Sequence, residues 1–171
     1  QWFIASRTDD VGGLARRSMG RGEELGGEGF AKSDGFLGNF GEWTANPLLL
    51  SHGLGMWALA AHYRISRDDA WLRGRPASPL ETLLAAFDWI SLQRKRTQRE
   101  VDGKRVPYWG LLPGASAHDW LAGNTIFNDA FCIHGMAETV RLLREIRDPR
   151  AEELAAELED YRRCLRERYA E

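Results

Sequence analysis

Cysteine is scarce in this sequence, which has only Cys132 and Cys164 in a chain of 171 residues. Two cysteines cannot build the disulfide framework of a small secreted domain, and we expect buried free thiols rather than a disulfide. Excess charge is also lacking, because the formal net charge is -2 and the isoelectric point is about 6.1. A general attraction to nucleic acid or to an anionic membrane is therefore not expected.

The short motifs of several enzyme classes are missing as well. The sequence contains no nucleophile elbow, P-loop, dinucleotide-binding fingerprint or zinc-binding helix signature. Cys132 and His134 are two positions apart, so on a helix their side chains point about 200° apart and cannot share an ion. The sequence therefore predicts neither a metal site nor a cofactor.

Residues 1–45 hold ten of the 18 glycines in the chain. Glycine at this density supports neither a helical nor a strand period, so we predict an irregular arm that packs toward a site. The chain begins at Gln1 without the basic and apolar regions of a signal peptide. We therefore expect an internal start and assign no compartment.

The segment 46–65, with the sequence NPLLLSHGLGMWALAAHYRI, organises the rest of the chain. Asn46 is a good helix N-cap, and Pro47 suits the first helical position. Apolar residues then cover nearly every face, which predicts a buried central helix with other helices packed around it. Two histidines and an arginine within the segment argue against a membrane span, although its length would suffice.

A further helix begins with a capping box, in which Ser78 is the N-cap and Glu81 follows three positions later. Its apolar residues recur at helical spacing up to about Arg94. The basic residues that follow, as far as Arg105, are predicted to form a solvated loop, because no glycine-rich phosphate cradle accompanies them.

The last third of the chain predicts an aromatic loop over 107–120 and two helices. The first helix covers 128–146 and is capped by Asn124 or Asn128, and the second covers 149–169 with the apolar stripe of an outer helix. The fold class is therefore all-α, with two α-hairpins at 46–105 and 106–171. A weak repeat at an offset of 80 residues favours stacked hairpins. It matches Gly55-Met56, Arg64 and Arg67-Asp68 with Gly135-Met136, Arg144 and Arg147-Asp148.

Several local patterns resemble hairpins of the six-hairpin glycosidases, over roughly residues 40–169. They are His52-Gly53, Met56–Tyr63, Asp69–Leu72 and Ala85–Ile90 for one hairpin, and Gly110–Gly114, Asn128–Phe131 and the helix around Gly135 for the next. The resemblance implies an (α/α)₆ toroid whose inner helices are buried and whose loops bind sugar at one rim. A closed toroid has six hairpins, so we expect part of a larger toroid or a partial bundle with a partly bare central helix.

Glycoside hydrolysis, which the resemblance implies, needs two carboxyl groups on either side of the scissile bond. Glu42 lies beside Trp43, and desolvation by an indole raises the pKa of a carboxyl toward the role of general acid. Asp119 in the aromatic loop, or Asp129 at a helix start, is the candidate for the base. Each has a structural alternative: a helix-dipole contact for Glu42, a turn for Asp119 and a first-turn charge for Asp129.

Other residues of the same region are candidates for positioning a sugar. They are Trp43, His52, Tyr108, Trp109, His118, Trp120 and Asn128. Tryptophan rings stack on sugars but also serve as loop anchors, and His52 suits a core histidine bonded to a carbonyl better than a substrate contact.

The predicted function is therefore carbohydrate processing of the glycoside hydrolase type. The expected partners are a carbohydrate and either the rest of the toroid or a second copy of the chain. A non-catalytic helical module that binds carbohydrate or assembles is the first alternative. A polysaccharide lyase is the second, and it would require Tyr108 and His118 to converge with an arginine.

Overall fold

The computed structural model describes residues 49–74, 78–118 and 121–170, and this part of the chain is mostly helical. Its helices are α1 (Leu49–Ser66), α2 (Asp69–Arg73), α3 (Pro79–Thr97), α4 (Ile126–Glu145) and α5 (Ala151–Tyr169). The connection between α3 and α4 contains two short antiparallel hairpins, β1 (Glu100–Val101) with β2 (Lys104–Arg105) and β3 (Ala115–His118) with β4 (Leu121–Gly123). The all-α prediction is confirmed in this main feature, although the sequence analysis missed both hairpins.

The local start and stop signals explain several helix boundaries. The Ser78 hydroxyl accepts the backbone N–H of Glu81 at 3.3 Å, so the predicted capping residue of α3 is confirmed. Both α1 and α4 are followed by an arginine in the left-handed conformation, Arg67 at φ 52° and Arg147 at φ 55°. An aspartate comes next in each copy, so the repeat at an offset of 80 is a shared helix stop.

The predicted cap of α4 is wrong. The N-cap of α4 is Thr125, because the Asn124 side chain donates to the Leu112 carbonyl at 3.1 Å and Asn128 lies inside the helix. Helix α5 begins at Ala151 rather than 149, and the Asp148 carboxylate accepts the backbone N–H of Arg150.

The basic segment is also more ordered than a solvated loop. Helix α3 continues to Thr97 and buries Arg94, whose exposed fraction is 1%. The next residues form the β1–β2 hairpin, in which Asp102 and Gly103 both have positive φ angles, of 52° and 73°. Two consecutive left-handed residues give the turn whose twist suits an antiparallel pair, so Asp102 and Gly103 close a hairpin.

Helices α1 and α4 lie side by side and run parallel. Gly53 contacts the backbone at Phe131, and further along the Arg67 guanidinium pairs with Glu145 at 2.9 Å. Helix α5 runs antiparallel to α4, since Tyr161 bonds Asp129 near the start of α4 and Glu152 pairs with Arg144 near its end. Helices α3 and α5 cover the same side of the parallel pair.

Glycine allows the close approach of α1 and α4. A Cβ atom at Gly135 would lie 2.5 Å from the Gly53 carbonyl oxygen and 2.9 Å from the Gly53 Cα. A Cβ atom at Gly53 would overlap the Phe131 carbonyl. These backbones therefore touch at positions where no other residue type fits.

On the opposite side of α1, Trp57, Ala58 and Ile65 are exposed in the described part of the chain, so the prediction that α1 is buried is wrong for these residues. Helical spacing puts five exposed or half-buried apolar residues there: Leu54, Trp57, Ala58, Ala61 and Ile65.

The first three turns of α4 extend the same apolar surface. Their outward residues are Ile126, Phe127, Ala130, Ile133 and Ala137. The Trp57 and His134 rings, whose centroids are 6.4 Å apart, connect the two helices at this surface. We call these ten residues of α1 and α4 the open face.

Cys132 and Cys164 are buried thiols that form no disulfide, which confirms the thiol prediction. Among the described helices, none combines the length and the apolar character that crossing a bilayer requires. The glycine-rich arm, residues 1–45, lies outside the described part of the chain.

Candidate functional site

The starts of α1 and α4 lie at the same end of the molecule, because the two helices are parallel. Strand β3 contacts α1, and β4 leads directly into α4. The described part of the aromatic loop, residues 107–118, therefore lies beside the two helix starts. We describe the site from the loop outward.

Four side-chain contacts hold the Gly110–Gly114 loop. The Gly110 carbonyl accepts Arg94 Nε at 2.7 Å, and the Leu111 carbonyl accepts the Thr97 hydroxyl at 2.7 Å. The Leu112 N–H donates to Asp129 Oδ1 at 2.9 Å, and the Leu112 carbonyl accepts the Asn124 side chain. Since α3, α4 and the α4 entry all bond to the loop backbone, its shape is determined by tertiary contacts.

Gly110 is required in this loop for two reasons. Its φ angle is 68°, in the left-handed region that favours glycine. A Cβ atom there would also lie 2.7 Å from the Cys164 sulfur on α5. The loop therefore packs directly against the outer helix.

Asp129 is the buried carboxyl of the site, with an exposed fraction of 2%. Its Oδ1 accepts two hydrogen bonds, from the Leu112 N–H and from the Tyr161 hydroxyl at 2.7 Å. Desolvation raises its pKa to about 6, although these two bonds and the Arg94 charge act in the opposite direction. Burial also raises the pKa of the Tyr161 phenol, and the Asp129 charge adds to that increase. The Asp129–Tyr161 bond thus joins α4 to α5 at the site.

The raised pKa of Asp129 predicts a pH dependence of stability. The carboxyl binds its proton more tightly in the folded than in the unfolded chain, so its contribution is complete below the unfolded pKa. That contribution falls as the pH rises through about 6, by about 2 kcal/mol between about pH 4 and pH 7. We expect Asp129→Asn to gain this amount relative to the wild type over that range, measured by urea unfolding at each pH. Parallel pH profiles of the two proteins would contradict the assignment.

Arg94 completes the buried polar group and links three parts of the structure. Besides the Gly110 carbonyl, its guanidinium pairs with Asp160 at 2.7 Å and with Glu157, both on α5. It also stacks over the Tyr161 ring, with 4.3 Å from Cζ to the ring centroid. The sequence analysis missed Arg94 and Tyr161 as site residues. The available signal was the spacing of Arg94 from Leu83, Phe87 and Ile90, which puts it on the buried face of α3.

His52 and Asn128 are both buried within the protein. The Nε2 atom of His52 lies 2.9 Å from the Ala86 carbonyl, and its ring packs against Trp89 at a centroid distance of 4.9 Å. Asn128 has an exposed fraction of 2%. The core arrangement that the sequence analysis favoured for His52 is therefore the observed one.

Tyr108 and Trp109 each meet an arginine. The Tyr108 hydroxyl accepts Arg99 Nη2 at 3.1 Å, and the Arg105 guanidinium lies 4.5 Å from the centre of the Trp109 ring. Both aromatic side chains are half-buried. This Tyr108–Arg99 contact is exposed and the His118 side chain lies outside the description, so the lyase alternative stays a prediction.

The remaining predicted residues lie outside the described part of the chain. Glu42, Trp43, Asp119 and Trp120 belong to the undescribed segments. His118 is in β3, and its side chain is likewise outside the description. Of the predicted residues with described side chains, Asn128 and Asp129 are both buried in the first turn of α4, where they are neighbours in the sequence.

Comparison of the chain with protein-family models, with curated proteins and with solved structures found no match. Among the described residues, no group of three or more His, Cys, Asp or Glu side chains is placed to hold a metal ion.

Proposed function

We propose that the chain is part of a carbohydrate-processing domain of the glycoside hydrolase type, built from two hairpins of an (α/α) toroid. The parallel helices support this architecture, because α4 starts beside the Gly110–Gly114 loop and β3, which follows that loop, contacts α1. In this proposal the substrate is a carbohydrate bound at the helix starts. Further hairpins of a larger toroid, or a second copy, complete the walls.

The observation that carries the proposal is the uncapped start of α4. Thr125 is the N-cap but makes no side-chain cap bond, and its hydroxyl oxygen is buried without a partner among the described residues. A buried hydroxyl of this kind needs a hydrogen-bond partner, and a sugar hydroxyl offers both a donor and an acceptor. The raised pKa of Asp129, one turn further along, adds a carboxyl that holds a proton near pH 6.

The proposed roles come from the sequence, because Glu42, Trp43, Asp119 and Trp120 lie outside the described residues. Glu42 acts as the general acid and Asp119 as the base, with Trp43, Trp109 and Trp120 against the sugar rings. Asp129 was the other candidate for the base. Its carboxyl accepts hydrogen bonds from the Leu112 N–H and the Tyr161 hydroxyl. Its burial favours a positioning role, because a base must reach the water that it activates.

Sugar release from a panel of α- and β-linked oligosaccharides tests the proposal with the full chain. We expect Glu42→Gln and Asp119→Asn each to lower kcat by about 10²- to 10⁴-fold, the usual contribution of a positioned acid or base. Glu100→Gln is the control, because it neutralises an exposed carboxyl on β1. If the chain releases no sugar, or if Glu100→Gln slows it equally, the hydrolase proposal is wrong.

A non-catalytic helical module is the second candidate. It is favoured by the internal hydrogen bonds of His52 and Asp129, which serve the fold rather than a cleft. Saturable binding of an oligosaccharide without turnover, measured by calorimetry in the same panel, would identify this function.

A further inference from the structure

The end of α3 and the β1–β2 hairpin concentrate positive charge beside the candidate site. Residues 95–105 contain five basic side chains against two acidic ones, Glu100 and Asp102, whereas the whole chain has a formal net charge of -2. All seven charged residues are exposed. Exposed charge is often only solvated, so the contacts of these side chains decide whether they can bind a ligand.

Two of the basic residues, Arg99 and Arg105, are held by aromatic side chains next to the Gly110–Gly114 loop. Arg99 Nη2 donates to the Tyr108 hydroxyl at 3.1 Å, and the Arg105 guanidinium lies 4.5 Å from the centre of the Trp109 ring. Both aromatic residues are half-buried and pack against the core. We call Arg99 and Arg105 the arginine pair. The anchored rings restrict the motion of these two side chains, which lowers the entropy cost of binding a ligand.

The aromatic contacts leave most N–H donors of the arginine pair free. A guanidinium carries five N–H donors along its edges. The Tyr108 hydroxyl accepts one of those of Arg99, and a cation–π contact such as that of Arg105 uses none of them. The other donors have the forked arrangement that binds an oxyanion, such as a carboxylate, through two parallel hydrogen bonds.

The arginine pair forms no salt bridge with an acidic side chain in the described part of the chain. Glu100 is directly opposite Arg105 in the β1–β2 ladder, but the Arg105 guanidinium lies over Trp109 instead. Arg163, by contrast, pairs with Asp160. The described structure therefore does not neutralise the charge of the arginine pair.

The arginine pair also lies close to the start of α4. Trp109 is three residues before Leu112, so at most about 11 Å of chain separates them. The Leu112 N–H donates to Asp129 in the first turn of α4. We propose that the carbohydrate of the candidate site is acidic, and that the arginine pair binds its carboxylate or sulfate groups. This inference rests on the proposed function, because it assigns the substrate class of the same site.

Calorimetric titration of the full chain with charged and neutral oligosaccharides tests the inference. The acidic probes are oligogalacturonate and alginate oligomers, which carry carboxylates, and carrageenan oligomers, which carry sulfates. The neutral probe is methyl-esterified oligogalacturonate. We expect at least one acidic probe to bind about tenfold or more tightly than the neutral one, because bonds between charged partners are the stronger ones. Tighter binding of the carrageenan oligomers would identify sulfate as the bound group, and tighter binding of the others would identify carboxylate.

Substitutions in the arginine pair locate the binding. Arg99→Gln and Arg105→Gln should each weaken the binding of the acidic probe by about tenfold. Arg105→Lys should weaken it by about threefold, because lysine keeps the charge but lacks the fork. Both positions are exposed, so folding should be kept and is checked by circular dichroism.

Arg147→Gln is the matched control. It removes the same charge from an exposed arginine beyond the end of α4, about 30 Å from the start of that helix. This substitution should change the affinity by less than about twofold.

Three results would overturn the inference. One is that no acidic probe binds more tightly than the neutral one. Another is that Arg147→Gln weakens binding as much as the substitutions in the arginine pair, which would indicate net charge alone. The third is tighter binding of a single-stranded oligonucleotide than of any acidic oligosaccharide, which would assign the arginine pair to nucleic acid.

The same titrations separate this inference from the hydrolase proposal. An acidic oligosaccharide that binds through the arginine pair but is not cleaved would support the inference and contradict only the hydrolysis. Sugar release from neutral oligosaccharides, without preferential binding of the acidic probes, would contradict the inference alone.

Discussion

Replacing Gly135 by alanine should destabilise the protein by about 3 kcal/mol, which is the upper part of the range for overpacking. The new Cβ atom would lie 2.5 Å from the Gly53 carbonyl oxygen, and neither backbone can move without separating α1 from α4. Alanine gains about 1 kcal/mol of helix propensity over glycine, which offsets only part of that cost. Gly53→Ala should act similarly, because its Cβ atom would overlap the Phe131 carbonyl. Chemical unfolding with urea measures both effects.

Gly114→Ala is the control for this experiment. A Cβ atom at Gly114 would have its closest neighbour at 3.4 Å, which is an ordinary contact. Its effect should be within about 0.5 kcal/mol of zero. If Gly135→Ala were no more destabilising than this control, α1 and α4 could not touch through their glycines as described.

Arg94→Met should also cost about 3 kcal/mol. Removing one partner from a buried ion pair costs about 3 to 5 kcal/mol, and the low end applies because Asp160 and Glu157 are each 31% exposed. Methionine fills much of the arginine volume but leaves the Gly110 carbonyl without its donor. The loss should appear as a lower free energy of unfolding at neutral pH.

Arg163 provides a matched comparison on the same carboxylate. It pairs with Asp160 through the other oxygen, but it is 62% exposed. Arg163→Met should therefore change the free energy of unfolding by no more than about 0.5 kcal/mol. Equal effects at the two positions would mean that burial of Arg94 adds nothing, which would contradict the arrangement described here.

The sequence predicted the features that depend on neighbouring residues. Ser78 and Glu81 predicted the start of α3, because a helix cap needs only a side-chain hydroxyl and a backbone N–H about one turn further along. The offset of 80 residues likewise revealed two equivalent helix stops, at Arg67 and Arg147. Both are local, so their pattern survives in the linear sequence.

The cap of α4 shows where local patterns fail. Asn124 and Asn128 are both good caps in isolation, but Asn124 is used by the Leu112 carbonyl and Asn128 is buried in the first turn. A competing bond from a distant segment decided which residue starts the helix. The same applies to Asp129, whose partners Leu112 and Tyr161 are 17 and 32 residues away.

By itself, the sequence predicted a mostly helical protein with buried thiols and an apolar first helix, because spacing, caps and composition act over a few residues. Only the tertiary structure decided which face of α1 is bare, why Gly53 and Gly135 must be glycine, and how Arg94 comes to be buried. Those properties depend on contacts between helices whose residues are far apart in the sequence. The separation of two residues along the chain does not give the distance between them in the fold.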